Sequence, residues 1–85
     1  MEINILYFSW IKDRVNKSEE KIIIPNNIKS VKELISWLKN KDSSYADAFK
    51  NLDQIRVALD QCHVDLGSLI GESKEIAFFP PVTGG

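Results

Sequence analysis

Residues Ile3 to Ile11 are predicted to form a strand, with apolar Ile3, Ile5 and Tyr7 at every second position of its first half. Ile3, Ile5 and Tyr7 share one face, and Asn4, Leu6 and Phe8 share the other. Polar Asn4 marks that second face as the outward one. Residues 12–18 are polar, with room for a short helical turn before a loop. A second strand, 20–24, stops at Pro25, which has no N–H for a ladder. Ser30 and Glu33 then form a capping box: the Ser30 hydroxyl accepts from the Glu33 N–H, and the Glu33 carboxylate reaches back. Val31, Leu34, Ile35 and Leu38 follow at i, i+3, i+4 and i+7, the apolar stripe of one helix that fades near Asn40. Trp37 borders the stripe at the edge of the core. Ser43 or Ser44 caps a shorter helical piece through Tyr45, Ala46, Ala48 and Phe49.

The spacing then returns to two. Strands at 55–59 and 62–66 flank a tight turn at Asp60-Gln61, with Val57, Leu59, Val64 and Leu66 inward. The loop 67–71 buries either Leu69 or Ile70. A last strand covers 74–79, with Ile76 and Phe78 on one face and Ala77 and Phe79 on the other. The order strand, strand, helix, strand, strand, strand is not an alternating β-α-β pattern. It predicts an α+β domain: one mixed sheet of about five strands packed on one main helix. One helix covers one sheet face and leaves the other open.

Composition adds mostly exclusions. Eighty-five residues make one small domain, with no room for a deep private pocket. The net charge of −1 offers no footprint for nucleic acid. No apolar run reaches membrane-spanning length, and the first residues lack the features of a signal peptide. One cysteine precludes an internal disulfide and fits a reducing, cytoplasmic setting.

Internal catalytic groups are equally scarce. Cys62 and His63 are strand neighbours, so their side chains diverge and form no dyad. Cys62 is expected to be a small buried residue. Asp60 and Asp65 are expected to be polar edge residues. No cysteine or histidine spacing suits zinc, and no glycine-rich loop suits phosphate.

The chemistry lies at the end of the chain. After Phe78-Phe79, Pro80 and Pro81 end the strand and favour a stiff, extended exit. Val82 and Thr83 continue it. Gly84 and Gly85 make a tip without side chains, able to enter a slot too narrow for a Cβ. The six residues after Phe79, extended, reach about 20 Å. The domain is therefore read as a body, 1–79, and an extended, flexible tail, 80–85.

This ending resembles the C-terminus of the small, sulfur-carrying subunits of molybdopterin synthase, whose hallmark is Phe-Phe-Pro-Pro-Val-x-Gly-Gly. The match is tight over the last residues and loose over the rest. The resemblance implies a ubiquitin-like β-grasp fold with the first and last strands adjacent and parallel. It implies that Gly85 is the reactive end and that Gly84 lets it thread a channel. An activating enzyme of the ubiquitin-activating type, using ATP and Mg²⁺, would adenylate Gly85, and a sulfur donor protein would convert it to a thiocarboxylate. The loaded tail would then deliver sulfur to a cyclic pyranopterin monophosphate in the large subunit, forming the molybdopterin dithiolene. The chain alone would be non-catalytic and bind no cofactor or metal. Its complex would be a heterotetramer.

With the first and last strands so placed, Phe8 and Phe79 fall close together on the open face, and His63 has the parity to join them. These three, with Pro80, Pro81, Val82 and Thr83, are the expected partner-binding residues. Two other functions use the same tail. A thiamine-type sulfur carrier shares the glycine pair but usually lacks the Phe-Phe-Pro-Pro run. A ubiquitin-like modifier would pass the activated Gly85 to lysines of other proteins.

Overall fold

The computed structural model describes residues 1–81. Its strands are β1 (Glu2–Tyr7), β2 (Glu19–Ile23), β3 (Arg56–Leu59), β4 (Cys62–Val64) and β5 (Glu75–Phe79). They form one sheet in the order β2-β1-β5-β3-β4, with β1 and β5 parallel and the other pairs antiparallel. The described residues also form three helices and a 3-10 turn, Leu52–Gln54: α1 (Ser9–Val15), α2 (Val31–Lys39) and α3 (Ser43–Ala48). This is the ubiquitin-like β-grasp arrangement, and the expected parallel pairing of first and last strands is present.

Helix α2 forms where the capping box and stripe predict it. Ser30 Oγ accepts from Glu33 N at 3.1 Å, and Glu33 Oε1 accepts from Ser30 N at 2.9 Å. Those backbone donors, Ser30 first and then Lys29, hold the Glu33 carboxyl below its ordinary range. Val31, Leu34, Ile35 and Leu38 are all buried against the inward residues of the sheet, among them Ile3, Ile5, Val57, Ile76 and Phe78. Each such side chain contributes about 1.5–3 kcal/mol when fully buried. Trp37 packs at the core's margin, as its position on the stripe predicts.

Three expectations need correction. The first strand stops at Tyr7, not Ile11. Ser9 takes a left-handed φ of 58°, which turns the chain, and Ile11 and Val15 then bury one helical face at i, i+4. The alternation across Phe8-Ser9-Trp10-Ile11 hid that change of period. The α3 cap is Asp42, whose side chain accepts from Ser44 N at 2.9 Å; neither Ser43 nor Ser44 is the cap. Cys62 is exposed, because it begins β4, a three-residue strand at the edge of the sheet. In the loop 67–71 it is Ile70 that is buried, while Leu69 is exposed.

Candidate functional site

Strand parity and register together build the open face. One row runs across the sheet through Glu19, Leu6, Ala77, Ala58 and His63. Next to it, toward the end from which the tail leaves, Phe79 pairs with Arg56. Phe8 lies alongside, its N–H donating to Phe78 O at 3.1 Å. Phe8 is 48% exposed; Leu6, Ala77 and Phe79 are half-buried. The ring of Phe79 packs on His63, with centroids 5.0 Å apart, and this is its ring contact among the described residues. The structure thus brings His63 onto Phe79 and sets Phe8 on the neighbouring strand.

A depression of about 340 Å³ opens beside Phe8, lined by Leu6, Ser9, Lys12, Ser18 and Glu19. Its apolar floor and charged rim suit one side chain of a partner. Lys12, Glu19 and Arg56 were not foreseen as part of this surface. Their placement comes from the α1 turn and from strand pairing, neither of which has a local sequence signal.

Directly beneath, on the helix side, lies an aromatic cluster. Tyr7 stacks on Phe78 with centroids 6.1 Å apart, and Phe78 meets Phe49 edge-on at 5.0 Å. Each phenylalanine of the open face therefore follows a buried aromatic in sequence: Tyr7 then Phe8, Phe78 then Phe79. The Tyr7 hydroxyl donates to Glu20 Oε2 at 2.7 Å, the Tyr45 hydroxyl donates to the same oxygen, and Lys17 Nζ reaches Glu20 Oε1 at 3.3 Å. Burial, and then the Glu20 hydrogen bond, push the Tyr7 phenol far above its ordinary range, and the same causes raise Tyr45. Burial also works to raise the Glu20 carboxyl, but donation from Tyr45, Tyr7 and Lys17 outweighs it and holds Glu20 below the usual carboxylate value. A tyrosine at an inward strand position signals that its hydroxyl needs a partner. Which residue answers could not be read from the chain.

From Phe79 the chain passes into Pro80 and Pro81, both half-buried. Val82, Thr83, Gly84 and Gly85 lie outside the described residues, so the expected threading and reactive ends do too. Among the described residues no cluster of histidine, cysteine or acidic side chains could hold a metal ion. None of the described helices is long and apolar enough to cross a membrane.

The model of the ThiS family matches residues 5–85. The chain belongs to the ThiS family. Two relatives of this ThiS-family chain are named molybdopterin synthase sulfur carrier subunit. The one from Mycobacterium tuberculosis is 25% identical over 85 residues, covering 100% of this chain and 99% of the relative. The one from Haemophilus influenzae is 29% identical over 83 residues, covering 98% and 99%. Among solved structures, small archaeal modifier protein 1 of Haloferax volcanii superposes with a TM-score of 0.74 at 19% identity, covering 100% of both chains. A protein–protein complex of subunits 1 and 2 of molybdopterin-converting factor from Helicobacter pylori contains a chain that matches with a TM-score of 0.64 at 24% identity, again covering 100% of both. At these identities the two structural likenesses carry the fold alone.

Proposed function

We infer that the chain is the sulfur carrier of a molybdopterin synthase, a non-catalytic subunit whose working group is the carboxyl of Gly85. The observation that carries this reading is the course of β5. This strand lies in mid-sheet, presents Phe79 against His63 on the open face, and continues directly into Pro80-Pro81 and the sequence Val82-Thr83-Gly84-Gly85. A docking surface and a bare tip are thereby mounted on one element. Membership of the ThiS family and the names of the two relatives support the same reading.

In this scheme the body docks through Phe8, His63 and Phe79 on the large subunit. Pro80, Pro81, Val82 and Thr83 span its channel, and Gly84 passes the narrowest point. A carboxylate resists nucleophilic attack because it is charged and lacks a leaving group. Transfer of AMP from ATP, with Mg²⁺ and release of pyrophosphate, makes the Gly85 carboxyl an acyl-adenylate. Sulfide then displaces AMP and leaves the thiocarboxylate directly. A donor protein's persulfide instead displaces AMP to leave an acyl disulfide, whose S–S bond a second donor thiol breaks to free the thiocarboxylate as the two donor thiols become a disulfide. The resulting thiocarboxylate supplies sulfur for the dithiolene of molybdopterin, and the large subunit provides the acids and bases.

Intact-mass analysis of the chain incubated with an activating enzyme, ATP and a sulfur donor tests this. Expected is a gain equal to exchange of one oxygen for one sulfur, located on Gly85. Deleting Gly85 is expected to abolish both the gain and molybdopterin formation while leaving large-subunit binding unchanged. Isopeptide-linked ladders in place of the gain would overturn the carrier reading in favour of a protein modifier.

A further inference from the structure

The two edges of the sheet are built differently. Strand β4 is three residues long, which is one way a protein blunts an edge. Strand β2 runs for five residues, Glu19–Ile23, with no proline inside it. Its hydrogen-bond phase is set at both ends. Tyr7 N donates to Ser18 O at 2.8 Å, and Ile24 N donates to Met1 O at 2.7 Å. With the register of β1 and β2, the backbone groups of Ile22 and Glu20 therefore also face β1. Those of Glu19, Lys21 and Ile23 face away, and no strand pairs with them among the described residues.

The same three residues carry their side chains on the open face, in the rows of Leu6, Asn4 and Glu2. Ile23 is 74% exposed, the highest value for a large apolar residue among the described residues. Lys21 and Glu19 are exposed charges of opposite sign, Glu19 engaging Asn4 Nδ2 only at 3.4 Å. A bare apolar residue and two alternating charges thus share one free edge. Unmatched strands are discouraged, because pairing with them would leave both charges without counterparts. A matched strand satisfies every position.

We propose that the β2 edge is a second docking site, one that takes an extended peptide segment of a partner protein as a sixth, antiparallel strand. From its N-terminus, the segment places an apolar residue opposite Ile23, an acidic residue opposite Lys21 and a basic residue opposite Glu19, at alternate positions. Each opposed pair exchanges both of its backbone hydrogen bonds, which supplies the affinity. The side chains supply register and direction. The proposal does not depend on the sulfur-carrier reading: it shares Glu19 with the rim of the depression beside Phe8 but uses neither the tail nor Phe8, His63 and Phe79.

The test uses the full chain, labelled with nitrogen-15, and the peptide acetyl-TVTETKT-amide. Expected is saturable binding in the millimolar range, with shifts and slowed solvent exchange at the amides of Glu19, Lys21 and Ile23. The charge-reversed peptide acetyl-TVTKTET-amide is expected to bind about fivefold more weakly, and Lys21→Glu is expected to weaken binding of the first peptide by a similar factor. Lys21→Pro removes an outward N–H that the sheet does not use. It is expected to abolish binding while thermal unfolding stays cooperative. Equal binding of the two peptides, shifts centred on Phe8 and Phe79, or no binding at all would each overturn the proposal.

Discussion

Phe78 and Phe79 are neighbours with opposite environments. Phe78 is fully buried between Tyr7 and Phe49, whereas Phe79 lies half-buried on the open face against His63. Truncating them separates stability from binding. Phe78→Ala leaves a cavity in the aromatic cluster and is expected to cost about 3–5 kcal/mol. For a domain of this size that is a large share of a total of about 4–13 kcal/mol. Phe79→Ala is expected to cost about 1 kcal/mol or less in stability, yet to weaken large-subunit binding about tenfold or more. Denaturant melts beside a binding titration check both. A large stability loss at Phe79 with unchanged affinity would place it in the core and remove it from the docking surface.

Among the elements, β5 depends on a residue that lies outside it. Asp60, at the β3–β4 turn, has a left-handed φ of 47°, and its Oδ1 accepts from Lys74 N and Glu75 N, each at 3.0 Å. The carboxylate closes the start of β5, the strand whose other end bears the tail. Asp60→Ala removes the one acceptor of both bonds and strains the turn, and is expected to cost about 1–2 kcal/mol. Asp60→Asn keeps an acceptor and tolerates the backbone, so its urea midpoint is expected to fall less. Equal losses in the two variants would mean that the hydrogen bonds contribute nothing. Helix α2 shows the contrary case, an element complete in its own residues: cap and stripe lie within nine positions of one another, so both were legible. Asp60 meets β5 across fifteen residues, and nothing local announces that meeting.

At the scale of the molecule, Glu20 ties together β1, β2, α3 and the loop that carries Lys17. Its carboxyl is held below the ordinary value of 4.5, so its contribution to stability is complete above that value and is lost as pH falls through the lowered one. Tyr7, Tyr45 and Lys17 are all raised. Their contribution is complete below the ordinary phenol and ammonium values of 10.0 and 10.5 and is lost as pH rises through the raised ones. Stability is therefore expected to be flat between about pH 5 and 9 and to fall on both sides. Glu20→Gln is expected to lose about 1–2 kcal/mol at neutral pH and to show a shallower fall in acid. Melting curves across pH that are parallel for the two proteins would show that Glu20 does not create the acid limb.

Much of this fold was legible because it is local. Period and parity sorted the inward residues from the outward ones, the capping box started α2, and the prolines and glycines marked the tail. Such signals arise from a residue's own backbone preferences and from neighbours within one turn of helix or two steps of strand. The tertiary structure decided the rest. Parallel pairing of β1 with β5, and antiparallel pairing of β3 with β5, are what bring Phe8, Phe79 and His63 onto one surface. The edge position of β4 exposes Cys62, and the pairing of β1 with β2 gives Glu20 the Tyr7 phenol while the placement of α3 brings it that of Tyr45. These depend on which strands become neighbours. That is settled by closing one shared core, a free energy spread over the whole chain and written at no single position.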